Sequence, residues 1–169
     1  LNIFVTNPDP HLSAIALDDK RLIKMILESA QILSTAIWIN GHKGFYKPTH
    51  LNHPVVKWAS SSQGNYEWLM QHFIHLIAEY NYRFNRTHKC STFALQIVLG
   101  QYYIPSRGGS SFCNCTTNKE KGISFKHITD TPEAYKNYLN ARWETDKRTP
   151  KWTKRGKPEW VRVSLSKAI

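Results

Sequence analysis

Arg21, Lys24, Glu28 and Gln31 stand at i, i+3, i+7 and i+10 in a stretch whose apolar residues recur at helical spacing. Leu22, Ile23, Met25, Ile26, Leu27, Ala30, Ile32, Leu33, Ala36 and Ile37 would cover roughly 220° of that helix at about 100° per residue. The remaining arc holds Lys20, Arg21, Lys24, Glu28, Gln31 and Thr35. Such a stripe has two possible fates. It is a solvated edge, where pairs such as Lys24 and Glu28 at i,i+4 contribute a few tenths of a kcal/mol. Or it lines a cleft, where one carboxylate beside cations can do chemistry on a sugar. A carboxylate stabilises the positive charge that develops at a glycosidic carbon as its bond breaks. An amine can attack that carbon and go on to a Schiff base.

Thr49-His50-Leu51-Asn52-His53-Pro54 packs two His, a Thr and an Asn just ahead of a helix start. That is a place to hold a phosphate or a base edge, with His50, Asn52 and His53 as the contacts. A capped loop with ordinary surface histidines has the same sequence. A second polar stripe, Trp68, His72, His75, Glu79 and Arg83, contains two His and a carboxylate of a kind that can bind metal. No His-Glu-x-x-His arrangement accompanies it, and the faces of long helices collect such residues, so no metal is expected. Cys90, Cys113 and Cys115 are odd in number and lack paired zinc-ligand spacing. They fit a reducing compartment and call for no cofactor.

Residues 147–162 contain seven Lys or Arg, one Glu, and two interleaved tryptophans, Trp152 and Trp160. Lys151, Trp152, Lys154 and Arg155 are the candidate contacts to nucleic acid, the cations for phosphates and the indole for base stacking. Alternatively the tryptophans anchor the tail and only the charges face out. The whole chain carries a net charge of +11 and a pI near 9.7, which points to an acidic partner. No apolar run approaches the roughly 18 residues of a membrane span, and the first residues lack the pattern of a signal peptide. Duplex DNA is therefore the expected partner, in the cytoplasm, with no membrane and a monomeric protein.

These residues need elements to position them. The 169 residues suit a single helical domain, 1–169, with a basic Trp-rich tail at 147–169. Residues 1–9 read as an extended arm ending in Asn7-Pro8-Asp9-Pro10, a turn and helix start. Helix follows over 11–39, with a break near Asp18-Asp19. After a loop over 40–52, a short helix opens at His53-Pro54. Ser60 to Ser62 caps a long helix over 63–84, and another falls within 91–101. The Gly, Ser, Asn and Lys-rich stretch 105–124 predicts a mobile loop, and Thr131-Pro132-Glu133 opens a last helix to about Asp146. Strand signals are weak. The fold class is all-α: a compact helical bundle with an extended N-terminal arm and an irregular basic C-terminal tail.

Asn2-Ile3-Phe4-Val5, the run from Leu17-Asp18-Asp19-Lys20-Arg21 to Glu28-Ser29-Ala30-Gln31, Thr49 to Pro54, Asn65-Tyr66-Glu67-Trp68-Leu69, the step from Glu79-Tyr80 to Arg83 and Lys157-Pro158-Glu159-Trp160 together resemble a widespread family of small phage proteins. The layout is similar to the phage pyrimidine-dimer DNA glycosylases of the endonuclease V type. That resemblance implies a catalytic carboxylate at Glu28, which the stripe flanks with Arg21, Lys24 and Gln31, and excision of a damaged or modified pyrimidine, with or without cleavage at the abasic site. Those enzymes use the α-amine of a small first residue as nucleophile. The sequence here opens Leu1-Asn2, so Lys20 or Lys24 could supply the amine, and without one the enzyme would use water. Two other functions use the same basic scaffold: group transfer onto a hypermodified thymine, and DNA binding without catalysis.

Overall fold

The computed structural model describes residues 1–164; the last five residues of the tail lie outside the described residues. Six helices run in the order α1 (Pro10–Ile15), α2 (Asp19–Ile39), α3 (Pro54–Ser61), α4 (Gln63–Phe84), α5 (Ala94–Gly100) and α6 (Thr131–Thr145). Short 3-10 turns cover Lys89–Phe93 and Gln101–Tyr103. The break near Asp18-Asp19 separates α1 from α2. The Asp9 side chain caps α1 by accepting from the His11 amide at 2.8 Å, with Pro10 in the first turn. Ser62 caps α4 by accepting from the Asn65 amide at 3.0 Å.

The second helix is the axis of the fold. Leu22, Met25, Ile26, Ala30, Ile32, Leu33, Ala36 and Ile37 are all buried, and α3, α4 and α5 pack around it. By length and composition this 21-residue helix could cross a membrane, contrary to the expectation that no stretch comes near that length. A core helix surrounded by other helices needs apolar groups on most of its faces, which gives it the same composition.

The stretch 105–124 is held against the bundle rather than left as a mobile loop. Gln63 and Gly64 donate their amides to the carbonyls of Pro105 and Arg107 at 2.8 and 3.0 Å. The Asn65 side chain accepts from the Ser110 amide at 2.8 Å, and the Trp58 indole donates to the Ser111 carbonyl at 3.0 Å. A Cβ on Gly64 would collide with the Gly109 backbone, so this approach requires glycine. Within the stretch, β1 (Thr117–Asn118) and β2 (Ile123–Ser124) form a two-residue antiparallel hairpin that pairs Thr117 with Ser124.

The tail is fixed by its own tryptophans and by ion pairs. Trp152 was a candidate for base stacking, but it is buried: its ring packs edge-on against Trp143 and its indole donates to the Ala16 carbonyl at 2.9 Å. Trp160 stacks on Trp143 from another side. Arg155 is no free phosphate contact either, since its guanidinium bonds both Glu79 oxygens at 2.6 and 2.8 Å. Glu79 also accepts from Arg83 at 2.8 Å, and Arg83 is fully buried. The Arg83 guanidinium goes on to the carbonyls of Leu17 and Ile15 and to Asp19, all within 3.0 Å.

Burial alone would raise the Glu79 carboxyl, but hydrogen bonds and charge from Arg155 and Arg83 outweigh it and hold it below its ordinary value. Asp146 is likewise lowered against the pull of burial, by Arg21 above all. A carboxyl depressed in the folded state stabilises above its unfolded value and loses that contribution as pH falls through the folded one. Buried His72, whose imidazole is lowered to about 4, adds a loss that begins as pH falls below the unfolded histidine value, so the thermal midpoint should start to fall below about pH 6.5 and drop further below about pH 4. Glu79→Ala leaves Arg83 buried beside a lost partner and should cost about 3–5 kcal/mol in denaturant unfolding. A cost under about 1 kcal/mol would show that the cluster is dispensable.

Candidate active site

The N-terminal arm is not a free extension. Ile3 and Val5 are fully buried, and the Phe4 ring stacks on Tyr138 and meets Tyr135 edge-on. The chain turns at Phe4, whose φ of 49° is in the left-handed region. Asn2 stabilises that turn. Its side-chain oxygen accepts from the amides of Ile3 and Phe4 at 2.8 and 3.1 Å and from the Tyr135 hydroxyl at 2.7 Å. Its amide nitrogen donates to the Cys115 carbonyl at 3.2 Å. Burial pushes the Tyr135 hydroxyl well above its ordinary value, so it keeps its proton and remains a donor.

This turn brings the head of the arm to α2. The backbone nitrogen of Asn2 lies 3.3 Å from Oε2 of Glu28, and Lys24 Nζ lies 3.7 Å from Oε1 of the same carboxylate. Glu28 is mostly sheltered, with 16% of its side chain exposed, whereas Lys24 is 67% exposed. The carboxylate thus faces nitrogen from two directions, at the edge of the core.

The loop before α3 closes over the same place. The Thr49 amide donates to the Thr35 hydroxyl on α2 at 3.2 Å, and that hydroxyl donates to the Gln31 carbonyl at 2.8 Å. His50 also has a left-handed backbone, with φ of 51°, and its Nδ1 lies 2.7 Å from the Thr49 hydroxyl. Burial lowers the His53 imidazole first; positive charge at the head of the chain and on His50 lowers it further, while Glu28 opposes them. The head of the arm, Glu28, His50 and His53 therefore share one electrostatic neighbourhood. Asn52 is exposed in the same loop, and Gln31 is half-buried on the turn beyond Glu28.

Of the residues expected at this site, Lys24 pairs with Glu28, and the charges of Glu28 and His50 both act on His53; Asn52 is on the same loop and Gln31 is on the next turn of α2. Arg21 is elsewhere. It is buried, bonds Asp146 at 2.8 and 3.3 Å, and reaches Asp18 at 3.4 Å. Lys20 and Lys151 line a separate cleft. Lys154 lies over the Tyr82 ring and donates to the Asn85 side chain at 3.2 Å. The other carboxylates with catalytic potential are committed to structure: Asp18 accepts from the Trp143 indole at 2.9 Å, Asp19 binds Arg83, and Glu79 binds two arginines. His72 is buried with its imidazole lowered to about 4, and Nδ1 donates to the Pro10 carbonyl at 3.1 Å. Among the described residues no three His, Cys, Asp or Glu are grouped to hold a metal.

His53 has a second role that its sequence context leaves open. Its Nδ1 accepts from the Val55 amide at 3.1 Å, which makes it the cap of α3. His53→Ala should cost about 1 kcal/mol in thermal or urea unfolding, and His53→Asn should recover most of that loss. Equal stability of all three proteins would exclude the capping role.

A model of the pyrimidine dimer DNA glycosylase family matches residues 1–92, just over half of the chain. The matched span carries the arm, Lys24, Glu28 and the loop from Thr49 to His53. No curated protein and no solved structure matches the chain. The chain belongs to the pyrimidine dimer DNA glycosylase family.

Proposed function

We propose that the protein is a DNA glycosylase that excises a pyrimidine, with Glu28 as the catalytic carboxylate and an amine held beside it as nucleophile. One observation carries this reading: a sheltered carboxylate approached by Asn2 N and Lys24 Nζ at 3.3 and 3.7 Å. As the N-glycosidic bond lengthens, its electron pair leaves with the base and positive charge grows on the sugar carbon. An ionised Glu28 stabilises that charge. The amine attacks the same carbon and loses a proton, which Glu28 is placed to accept. Ring opening of the sugar converts the adduct to a Schiff base, from which the strand can be cut by loss of the 3′ phosphate. Lys24 offers such an amine once its ammonium has passed a proton to solvent, and an α-amine carried by the arm would meet the same carboxylate.

The loop from Thr49 to His53 supports the same reading. A neutral His53 beside Glu28 adds no competing charge at neutral pH, and its depressed imidazole keeps it so. His50 and Asn52 are exposed on this loop, and in this reading they contact a base edge or phosphate of the extruded nucleotide.

Glu28→Gln keeps the shape and removes the charge. Base release from ultraviolet-irradiated duplex should fall at least about a hundredfold. DNA binding should persist, or tighten slightly, because a negative charge near phosphates is gone. Full activity in Glu28→Gln would remove Glu28 from the mechanism, and an altered nucleoside in place of free base would point to group transfer.

A further inference from the structure

A cleft of about 660 Å³ opens beside the N-terminal end of α2, between that helix, the end of α6 and the start of the tail. Six cations line it: Lys20, Lys121, Arg142, Lys147, Arg148 and Lys151. Its three acidic neighbours are already bound to protein partners. Asp18 holds Arg21 and the Trp143 indole, Asp19 holds Arg83 and the Thr153 amide, and Asp146 holds Arg21. The cations are held less closely, although charge from Lys20 and Arg142 helps to lower the Asp146 carboxyl. Lys20, Lys121, Lys147, Arg148 and Lys151 are exposed and form no ion pair among the described residues. Arg142 donates one nitrogen to the Tyr138 hydroxyl, and its buried Nε has no acceptor among the described residues.

A concave surface with unmatched positive charge and internally neutralised carboxylates fits a run of phosphates. Lys20, Lys24 and Glu28 stand at i, i+4 and i+8, so one stripe of α2 leads from the cleft to the candidate active site. The distance along the helix is about 12 Å at roughly 1.5 Å per residue. That is about three to four base steps of a DNA strand. Apart from Lys20, the lining cations lie beyond residue 92, outside the span matched by the family.

We propose that this cleft is a phosphate-binding site that holds the DNA backbone about three to four base steps from the nucleotide acted on at Glu28. The proposal rests on the reading of Glu28 as the catalytic centre for the distance, but not for the phosphate contacts themselves. Lys121, Lys147 and Arg148 anchor the strand, and Lys20 hands it on to the α2 stripe.

The test is DNA affinity against salt, by fluorescence anisotropy with a labelled duplex carrying one defined pyrimidine dimer. The triple variant Lys121→Ala, Lys147→Ala, Arg148→Ala should lower the slope of log affinity against log salt by up to about three. The control pair Lys43→Ala, Lys89→Ala, at the other end of α2 and on the first 3-10 turn, should leave the slope unchanged. An unchanged slope in the triple variant overturns the proposal, and so does an unchanged DNA slope with lost binding to anionic vesicles, which would assign the cleft to a membrane surface. Methylphosphonate substitution in the DNA tests the unaltered protein, whatever the variant's folding. Neutral phosphates three to four steps from the dimer should weaken binding, and a flat scan overturns the proposal. Base release by the unaltered protein is scored separately: its absence with a lowered slope would sink the glycosylase reading while the phosphate site stands.

Discussion

The structure turns on the burial of Arg83. A guanidinium with no exposure must find acceptors for its donors inside the protein, because an unpaired buried charge costs far more than any one contact returns. It finds them on three elements at once. Glu79 is on its own helix, the carbonyls of Ile15 and Leu17 lie at and just past the end of α1, and Asp19 begins α2. The same cluster takes in the tail, through Arg155 on Glu79 and Thr153 on Asp19. The angle at which α2 leaves this junction sets where Glu28 stands relative to the arm.

A second, smaller junction sets the other half of the site. Asn2 links the arm to α6 through Tyr135 and to the 113–115 segment through the Cys115 carbonyl. Its backbone is then the part that faces Glu28. The two junctions divide the acidic residues by task. Asp18, Asp19, Asp146 and Glu79 satisfy buried or half-buried cations and indoles. Among the described residues Glu28 makes no such bond to an arginine; its neighbours are an exposed lysine, the head of the chain and the His53 imidazole. The excess of Lys and Arg is consequently displayed outward, where phosphates can reach it.

Much of this was legible in the sequence wherever the cause is local. The break at Asp18-Asp19, the cap at Ser62 and the span of the long fourth helix follow from helix periodicity and capping chemistry. The pairing of Lys24 with Glu28 follows from their i,i+4 spacing. What was illegible depends on partners far away in the chain. Nothing near Arg21 announces Asp146, 125 residues on, and nothing near Arg155 announces Glu79, 76 residues back. Trp152 sits among cations and reads as a stacking surface until Trp143 and the Ala16 carbonyl claim it. Asn2 belongs to a recognisable motif, yet its role appears only when Tyr135 is placed against it. The stretch 105–124 has the composition of a mobile loop, and it is pinned because Gly64 and Asn65 present a surface that its own glycines and serines can approach.

In the proposed reaction an amine beside Glu28 joins covalently to the sugar. Borohydride reduction during turnover of a dimer-containing duplex would fix that adduct, and peptide mapping by mass spectrometry would locate it. A DNA adduct is expected on Lys24 or on the peptide that carries the head of the arm. An adduct on a lysine distant from Glu28, or base release with no trapped adduct at all, would contradict that reaction.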